Sequence, residues 1–371
     1  MRFIVACRES DETLTGLCRQ YGISRKSGYK WLERYDKLGV DGLEDQPTTP
    51  RHHPWTTPDD VVDAIIATRK AHSTWGPKKL RAWLVARDPR KWPSPSVIGG
   101  LLKKHGLVRP PRRRPRVPPS QGGYDRGAEP NDIWCTDFKG HFALGDRSRC
   151  HPLTLSDEAS RYLLKCEGLV APRHELVVPH FELAFREFGL PDAIRSDNGS
   201  PFASLAPGGL SKLSVWWIRL GIQPLRIEPG APQQNGVHER MHRTLKAEAT
   251  KPPANDLPAQ QRAFDRFRAE FNDERPHEAL GQKPPARVYT VSRRAMPATP
   301  HEPEYVDGIV RRCNSSGYVK LRGLVVNLSS VLANAVVVLR EVTDGREELR
   351  YGHVLLGWLD RTSSQPRFER A

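Results

Sequence analysis

The chain has 371 residues, enough for two to four domains and at least one large core. Hydrophobic residues make up 37% of it, and no apolar run approaches the roughly 20 residues that span a bilayer, which excludes a membrane protein. A net charge of +15 points to polyanionic partners.

The opening Met1 to Cys7 stretch turns polar at Arg8-Glu9-Ser10 with no cleavage site, so no signal peptide is expected and the protein reads as intracellular. The six cysteines form no Cys-x-x-Cys pair and read as reduced, mostly buried thiols. His52-His53 reads as a loop feature rather than a metal site.

Residues 1–47 read as helical. Phe3-Ile4-Val5 opens a short helix. A second runs from Thr13 to Tyr21, and Gly22 is placed to end it. Ser24 caps a third, Arg25 to Leu38, with Tyr29, Leu32 and Tyr35 as the expected buried face and Arg25, Lys26, Lys30 and Arg34 elsewhere. This is a helix-turn-helix pattern that offers its third helix to the major groove, although any small trihelical bundle looks similar.

Residues 56–108 repeat the logic. Thr57-Pro58-Asp59-Asp60 starts a helix with the stripe Val61, Val62, Ile65 and Ile66. Gly76-Pro77 starts another through Leu80, Trp83 and Leu84. Val97, Ile98, Leu101 and Leu102 form a third that ends at Lys103-Lys104. A second helix-turn-helix unit is expected. Residues 109–129 then read as a basic, proline-rich linker whose Arg109, Arg112, Arg113, Arg114 and Arg116 can ride along phosphates.

Residues 130–292 begin with strands at Ile133 to Phe138, Pro152 to Ser156 and Tyr162 to Cys166, an expected antiparallel meander. A helix from Glu175 to Gly189, a strand at Ala193 to Arg195, a helix from Leu213 to Leu220, a strand at Gln223 to Arg226 and a long helix from about Gln234 follow. Three strands followed by alternating helix and strand give an α/β, RNase H-like order. Residues 303–371 are rich in β-branched side chains, and Asp344-Gly345 is a hairpin turn, so a small β-barrel or sandwich is expected.

Three acids fall at informative places. Asp137 lies inside the first strand, where a carboxylate is costly unless paired or bound to a cation. Asp197 follows a short strand and precedes Asn198-Gly199. Glu239 lies on the long helix, about 160° from the expected buried stripe Val237, Met241 and Leu245. Arg243 and Lys246 share its face and can hold a phosphate beside it. Glu228 and Glu248 compete for the third position but lack its surroundings. His238 and His242 read as helix-surface residues touching DNA, and Trp216-Trp217 as core. Converging carboxylates repel one another, and two divalent cations relieve that repulsion while catalysing phosphoryl displacement. Mg²⁺ suits such donors.

The strings that carry these acids resemble the DDE integrase-like insertion-sequence transposases of the retroviral-integrase superfamily. Asp132-Ile133-Trp134-Cys135-Thr136-Asp137-Phe138-Lys139-Gly140 resembles the first-acid motif and Arg195-Ser196-Asp197-Asn198-Gly199-Ser200-Pro201-Phe202 the second. The third-acid motif is matched by the run from Pro232 through Asn235-Gly236, Glu239-Arg240 and Arg243 to Lys246. Gly76-Pro77-Lys78-Lys79-Leu80-Arg81 and the Ile23 to Trp31 run resemble the DNA-binding parts of one bacterial branch, and Asn272 to Gly281 with Pro284-Pro285 resembles its tail motif. The resemblance implies catalytic and metal-binding roles for Asp137, Asp197 and Glu239, with two Mg²⁺ ions for which Mn²⁺ can substitute. It implies cleavage of the element's terminal inverted repeats, joining of the 3′-hydroxyls to target DNA, and a dimer or tetramer holding double-stranded DNA on the bacterial nucleoid, with no membrane partner.

Expected DNA contacts are Arg25, Lys26, Lys30, Lys78, Lys79, Lys103, Lys104, the linker arginines, Arg240, Arg243 and Lys246. The spacing from Asp197 to Glu239 is longer than usual for this family, and the extra residues are expected in a surface loop at Ala203 to Leu210. A nuclease of the same fold without strand transfer, and a non-catalytic DNA-binding regulator, are the alternative readings.

Overall fold

A computed structural model describes residues 1–45, 56–108, 127–227, 236–343, 345–361 and 367–371. The chain divides into two compact units, Met1–Pro58 and Asp59–Ala371.

In the first unit, α1 (Arg2–Glu9), α2 (Leu14–Gln20) and α3 (Arg25–Leu38) follow the expected order. Thr13 and Ser24 cap α2 and α3 by accepting from the Gly16 and Ser27 amides. The packed face of α3 differs from the expected one. Tyr29 is 57% exposed, and Gly28 is the buried residue of that helix. A Cβ on Gly28 would lie 2.5 Å from Cys18 Sγ and 3.2 Å from Phe3. The missing side chain lets the helices close, and the buried face turns one residue away from Tyr29.

The second unit begins with α4 (Asp59–Ala71), α5 (Pro77–Arg87) and α6 (Pro95–Lys104). Their core is Val61, Ile65, Trp75, Leu80, Leu84, Trp92, Ile98 and Leu102. This bundle is fastened to the domain that follows by polar contacts. His72 Nδ1 meets Glu270 at 2.8 Å, Lys78 pairs with Glu278 at 2.6 Å and Arg87 with Glu274 at 3.4 Å.

The central sheet contains β1 (Ile133–Phe138), β2 (Phe142–Ala143), β3 (Arg149–Asp157), β4 (Leu163–Leu169), β5 (Ala193–Ser196) and β6 (Gln223–Arg226). β3 pairs antiparallel with β1, β2 and β4, and β1–β5–β6 run parallel. The sheet alternates faces along each strand. Trp134, Leu153 and Leu155 face α7 (His174–Phe188) and α8 (Lys212–Arg219), around Phe181, Phe185 and Trp217. The other side takes α9 (Gly236–Ala249) and α10 (Leu257–Ala269), through Met241, Leu245, Phe264 and Phe267. Trp217 is fully buried and Trp216 packs against the same core, as expected from sequence.

The C-terminal region forms an open antiparallel sheet in the order β13-β12-β11-β10-β7, plus the β8–β9 hairpin. These strands are β7 (Ile309–Arg312), β8 (Tyr318–Leu321), β9 (Leu324–Asn327), β10 (Val336–Thr343), β11 (Arg346–Tyr351), β12 (Val354–Asp360) and β13 (Arg367–Arg370). No closed sheet forms among the described residues, so the region is β-rich without the barrel closure that was one of the expectations. Asp344 of the expected hairpin turn lies outside the described residues.

The segment expected to be a surface loop is a docking element. Leu210 enters the core of the C-terminal region together with Val215 and Ile218 of α8. Gly208 takes φ +63, and a Cβ there would stand 2.5 Å from Val354 and 2.8 Å from the Leu355 carbonyl. Arg226 donates to the Gly208 carbonyl at 2.8 Å. Glu302 adds a polar tie, pairing with Arg219 at 2.6 Å and accepting from the Val336 amide at 3.1 Å. Gly208→Ala combines a strained φ with overpacking and is expected to destabilise this junction by about 1–3 kcal/mol. Limited proteolysis is expected to release the 303–371 region earlier in the variant; equal protection of both proteins would refute the junction's role.

Candidate active site

Asp137 lies on β1, opposite Thr154 of β3. The parallel pairing of β1 and β5 matches Cys135 with Arg195. Two residues further along the same direction come Asp137 and Asp197, the latter just past the end of β5. Behind them Arg195 and Glu158 form a buried ion pair, 5% and 4% exposed, which ties β5 to the end of β3. Asp197 accepts from the Gly199 amide at 3.1 Å, and Asn198 donates to the Ile227 carbonyl at 2.9 Å.

Glu239 sits exposed in the first turn of α9. His238 and His242, its neighbours on either side, are not surface residues: they are 0% and 4% exposed. The reason is hydrogen bonding to the sheet. His238 bridges Thr154 at 2.7 Å and Ser156 at 2.8 Å, and His242 Nε2 meets Thr154 at 2.6 Å. The Thr154 hydroxyl donates to the Asp137 carbonyl at 3.1 Å. With its one hydrogen spent there, Thr154 accepts from both histidines. His242 Nδ1 then carries a lone pair and faces Asp137 Oδ2 at 3.6 Å, too far for a hydrogen bond. Burial lowers the pKa of both rings, His238 to about 3, so both are neutral and the contact with Asp137 is not an ion pair. Val237, expected in the buried stripe, is only half-buried, and the stripe that packs is His238, Met241, His242 and Leu245.

Asp137 carries the electrostatic signature of the site. Its side chain is 19% exposed. Burial first, then the charges of Asp197 and Glu239, raise its pKa to about 7. All three acids therefore act within one local field. Among the described residues no three such side chains draw together into a closed cation cage. The donor chemistry nevertheless fits a hard divalent cation: three carboxylates, with a cost of charging Asp137 that a cation would remove.

The expected DNA contacts are distributed over several elements. Arg25, Lys26 and Lys30 are exposed on α3, with the Lys30 ammonium 5.0 Å from the Trp31 ring. Lys103 and Lys104 are exposed in the last turn of α6, and Arg240, Arg243 and Lys246 on α9. Lys78 is engaged with Glu278. Lys79 is largely buried, with a pKa lowered to about 8 by that burial and by Arg275. Arg109, Arg112, Arg113, Arg114 and Arg116 lie outside the described residues, as do Pro232 to Asn235, Glu228 and His52-His53. Sequence reading missed the Thr154–Ser156–histidine anchor. Its signal was present: polar Thr154 and Ser156 alternate with apolar Leu153 and Leu155 on a strand that is buried on both faces.

A carboxyl whose folded pKa is raised holds its proton in the folded state after the unfolded chain has lost it. Without metal, stability is therefore expected to fall as pH rises from about 4 to about 7, and Asp137→Asn to flatten that slope. A divalent cation binding the ionised acids is expected to raise the melting midpoint more at pH 8 than at pH 5. Equal shifts at both pH values, by scanning calorimetry, would dissociate the metal from these acids.

Family comparisons agree along the chain. An Integrase core domain family matches residues 127–232, and a second Integrase core domain family matches residues 220–285. A Helix-turn-helix domain matches residues 2–51 and a Homeodomain-like domain residues 27–102. The insertion element IS476 uncharacterized 39.2 kDa protein of Xanthomonas euvesicatoria is 29% identical over 64% of this chain and 67% of its own length. The IS407 uncharacterized 31.7 kDa protein of Burkholderia multivorans is 27% identical over 50% of this chain and 65% of its own length. The chain thus spans about two-thirds of each of these relatives. Among solved structures, the HTLV-2 integrase catalytic core domain in complex with magnesium is 18% identical over 44% of this chain and all of its own, with a TM-score of 0.36. Integrase-core and helix-turn-helix matches thus fall in the order expected from the sequence: the chain carries an integrase core preceded by helix-turn-helix units and is homologous to the proteins of these two insertion elements.

Proposed function

We propose that this protein binds the terminal inverted repeats of its own element, cleaves the ends and joins their 3′-hydroxyls to target DNA. The observation that supports this most is the shared field of Asp137, Asp197 and Glu239, three acids from separate elements whose charges bear on one carboxyl. Bound there, two Mg²⁺ ions (or Mn²⁺) would supply Lewis acidity and charge neutralisation for in-line displacement at phosphorus. Asp137, Asp197 and Glu239 act as ligands and not as proton donors. In the first step a water oxygen bonds to phosphorus at the element boundary, and the bond to the element's 3′-oxygen breaks, freeing the 3′-hydroxyl. In the second that 3′-oxygen bonds to a target phosphorus and displaces the target's own 3′-oxygen. The neutral His238 and His242 hold α9 against the sheet, fixing where Glu239 stands without adding charge.

DNA recognition is assigned to the helical units. Arg25, Lys26 and Lys30 on α3 read the element end. Lys78, Lys79, Lys103, Lys104 and the 109–116 arginines hold phosphates, and Arg240, Arg243 and Lys246 hold the strand beside Glu239. A dimer or tetramer would bring two ends together.

The test uses a labelled duplex carrying the DNA that flanks the gene, a supercoiled target plasmid and Mg²⁺ or Mn²⁺. Wild-type protein is expected to transfer label to plasmid, and Asp137→Ala or Asp197→Ala to reduce transfer by a factor on the order of a thousand or more. Cleavage without joining would favour a nuclease, and binding without cleavage a regulator. Replacing Arg25, Lys26 and Lys30 is expected to cost discrimination between end and unrelated duplexes; equal weakening on all DNA would refute their reading role.

A further inference from the structure

A cleft of about 610 Å³ opens along α9, and none of Asp137, Asp197 and Glu239 lines it. Its walls come from four parts of the second unit. Lys79 belongs to α5 of the second helix-turn-helix bundle, Arg161 to the turn between β3 and β4, and Arg240 and Arg243 to α9; Arg275 and His277 close it from beyond α10.

The acids in and around the cleft are already engaged. Asp157 accepts from the Asn131 amide and from Ser160, Glu278 pairs with Lys78, and Glu248 pairs with Arg275. Among the described residues no carboxylate lies within ion-pair distance of Lys79, Arg161, Arg240 or Arg243; Glu158 and Asp157 act on Arg161 and Glu248 and Glu278 on Lys79 from further away, and the lining keeps an excess of positive side chains. The cations also bear on one another. Burial and then Lys79, Arg275 and Arg161 lower the pKa of His277 to about 3; burial lowers that of Arg161, with Arg240 opposing its charge and Glu158 and Asp157 favouring it.

Arg161 is the most informative member. It adopts φ 66, a left-handed conformation that glycine or asparagine takes at lower cost. Its Nη1 is buried without a hydrogen-bond partner among the described residues, as is His277 Nε2. A buried donor left unpaired is costly. Folding alone gives no return for placing a strained arginine there, whereas an anion in the cleft would. Duplex DNA is the anion that the position favours. One wall belongs to a helix-turn-helix bundle, and another is the same helix that carries Glu239 in its first turn.

We propose that this cleft seats a backbone phosphate of the element-end duplex, clamped by Lys79, Arg161 and Arg240 between the second helix-turn-helix bundle and the helix of Glu239. The clamp sets the distance between the sequence that the bundle holds and the bond that the acids cut. This rests on the transposase reading above and adds to it a specific DNA subsite.

The experiment measures anisotropy of a labelled end duplex with the full chain in EDTA, across a salt series, for wild type, Arg161→Gly and Lys79→Gln. Arg161→Gly suits the positive φ and removes the guanidinium. Each variant is expected to bind about tenfold more weakly and to lower the slope of log Kd against log salt by about 1, the signature of one lost phosphate contact. Arg161→Gly is expected to do so without lowering the melting midpoint, which a purely structural arginine would lower. Unchanged slopes in both variants would overturn the proposal. So would a cleft that serves a small anion, seen as inorganic phosphate raising the melting midpoint of wild type but not of Arg161→Gly while DNA slopes stay equal. Normal joining by wild type with unchanged variant slopes removes the clamp alone. DNA binding with the expected slopes but no joining removes the transposase reading and leaves the cleft.

Discussion

The arrangement of the candidate site depends on a polar contact where a hydrophobic one would be usual. Helix α9 meets the sheet beside Asp137 through His238 and His242, which are hydrogen-bonded to Thr154 and Ser156. Further along the helix Met241, Leu245 and Ala249 pack in the ordinary apolar way. The division matters because a purely apolar contact tolerates sliding and rotation, whereas three directed hydrogen bonds between ring nitrogens and hydroxyls do not. Because both rings are buried and neutral, the contact fixes the helix without placing a permanent positive charge beside Asp137. Burial and the charges of Asp197 and Glu239 then raise the pKa of Asp137, against the smaller opposing effects of the Phe138 amide and the Lys139 charge.

Much of this was legible in the sequence because local chemistry announces it. Ser24 caps the helix it precedes, as its place in the sequence predicts, and the strand at Ile133 to Phe138 stands where its hydrophobic run predicts. The three candidate acids were singled out by the strings around them, and the structure adds that the charges of Asp197 and Glu239 bear on Asp137. What escaped was decided by packing over long sequence distances. Tyr29 reads as part of the buried face of α3, yet Gly28 is the residue that lets the helix approach Cys18. His238 and His242 read as exposed because histidine is usually half-polar surface; only Thr154 and Ser156, more than eighty positions earlier, make burial affordable. Arg161 carries no local signal at all, since its role arises from residues on α5 and α9 that meet it only in the folded chain.

The segment between Asp197 and α8 shows how an apparent excess of chain acquires a structural task. A loop there would be tolerated on entropic grounds alone. Here Gly208 lies against β12, and Leu210 completes a core otherwise built from the C-terminal strands. The C-terminal region is thus continuous with the chain that leads out of the second acid, and the position of β12 bears on the strand end that carries Asp197. Arg226, at the end of β6, holds the same turn from the other side.

The seam between α4–α6 and the central domain is built on a different plan. His72 with Glu270, Lys78 with Glu278 and Arg87 with Glu274 are side-chain pairs of which the lysine and arginine members are well exposed. Exposed pairs of this kind each contribute little, about 0–1 kcal/mol, and they specify alignment more than strength. An apolar seam evolves slowly, because each change on one side must be matched by volume on the other. A seam of surface charges can be copied onto a different helical bundle by a handful of substitutions, none of which disturbs either core. A helix-turn-helix bundle and an integrase core joined in this way can each change without unsettling the core of the other.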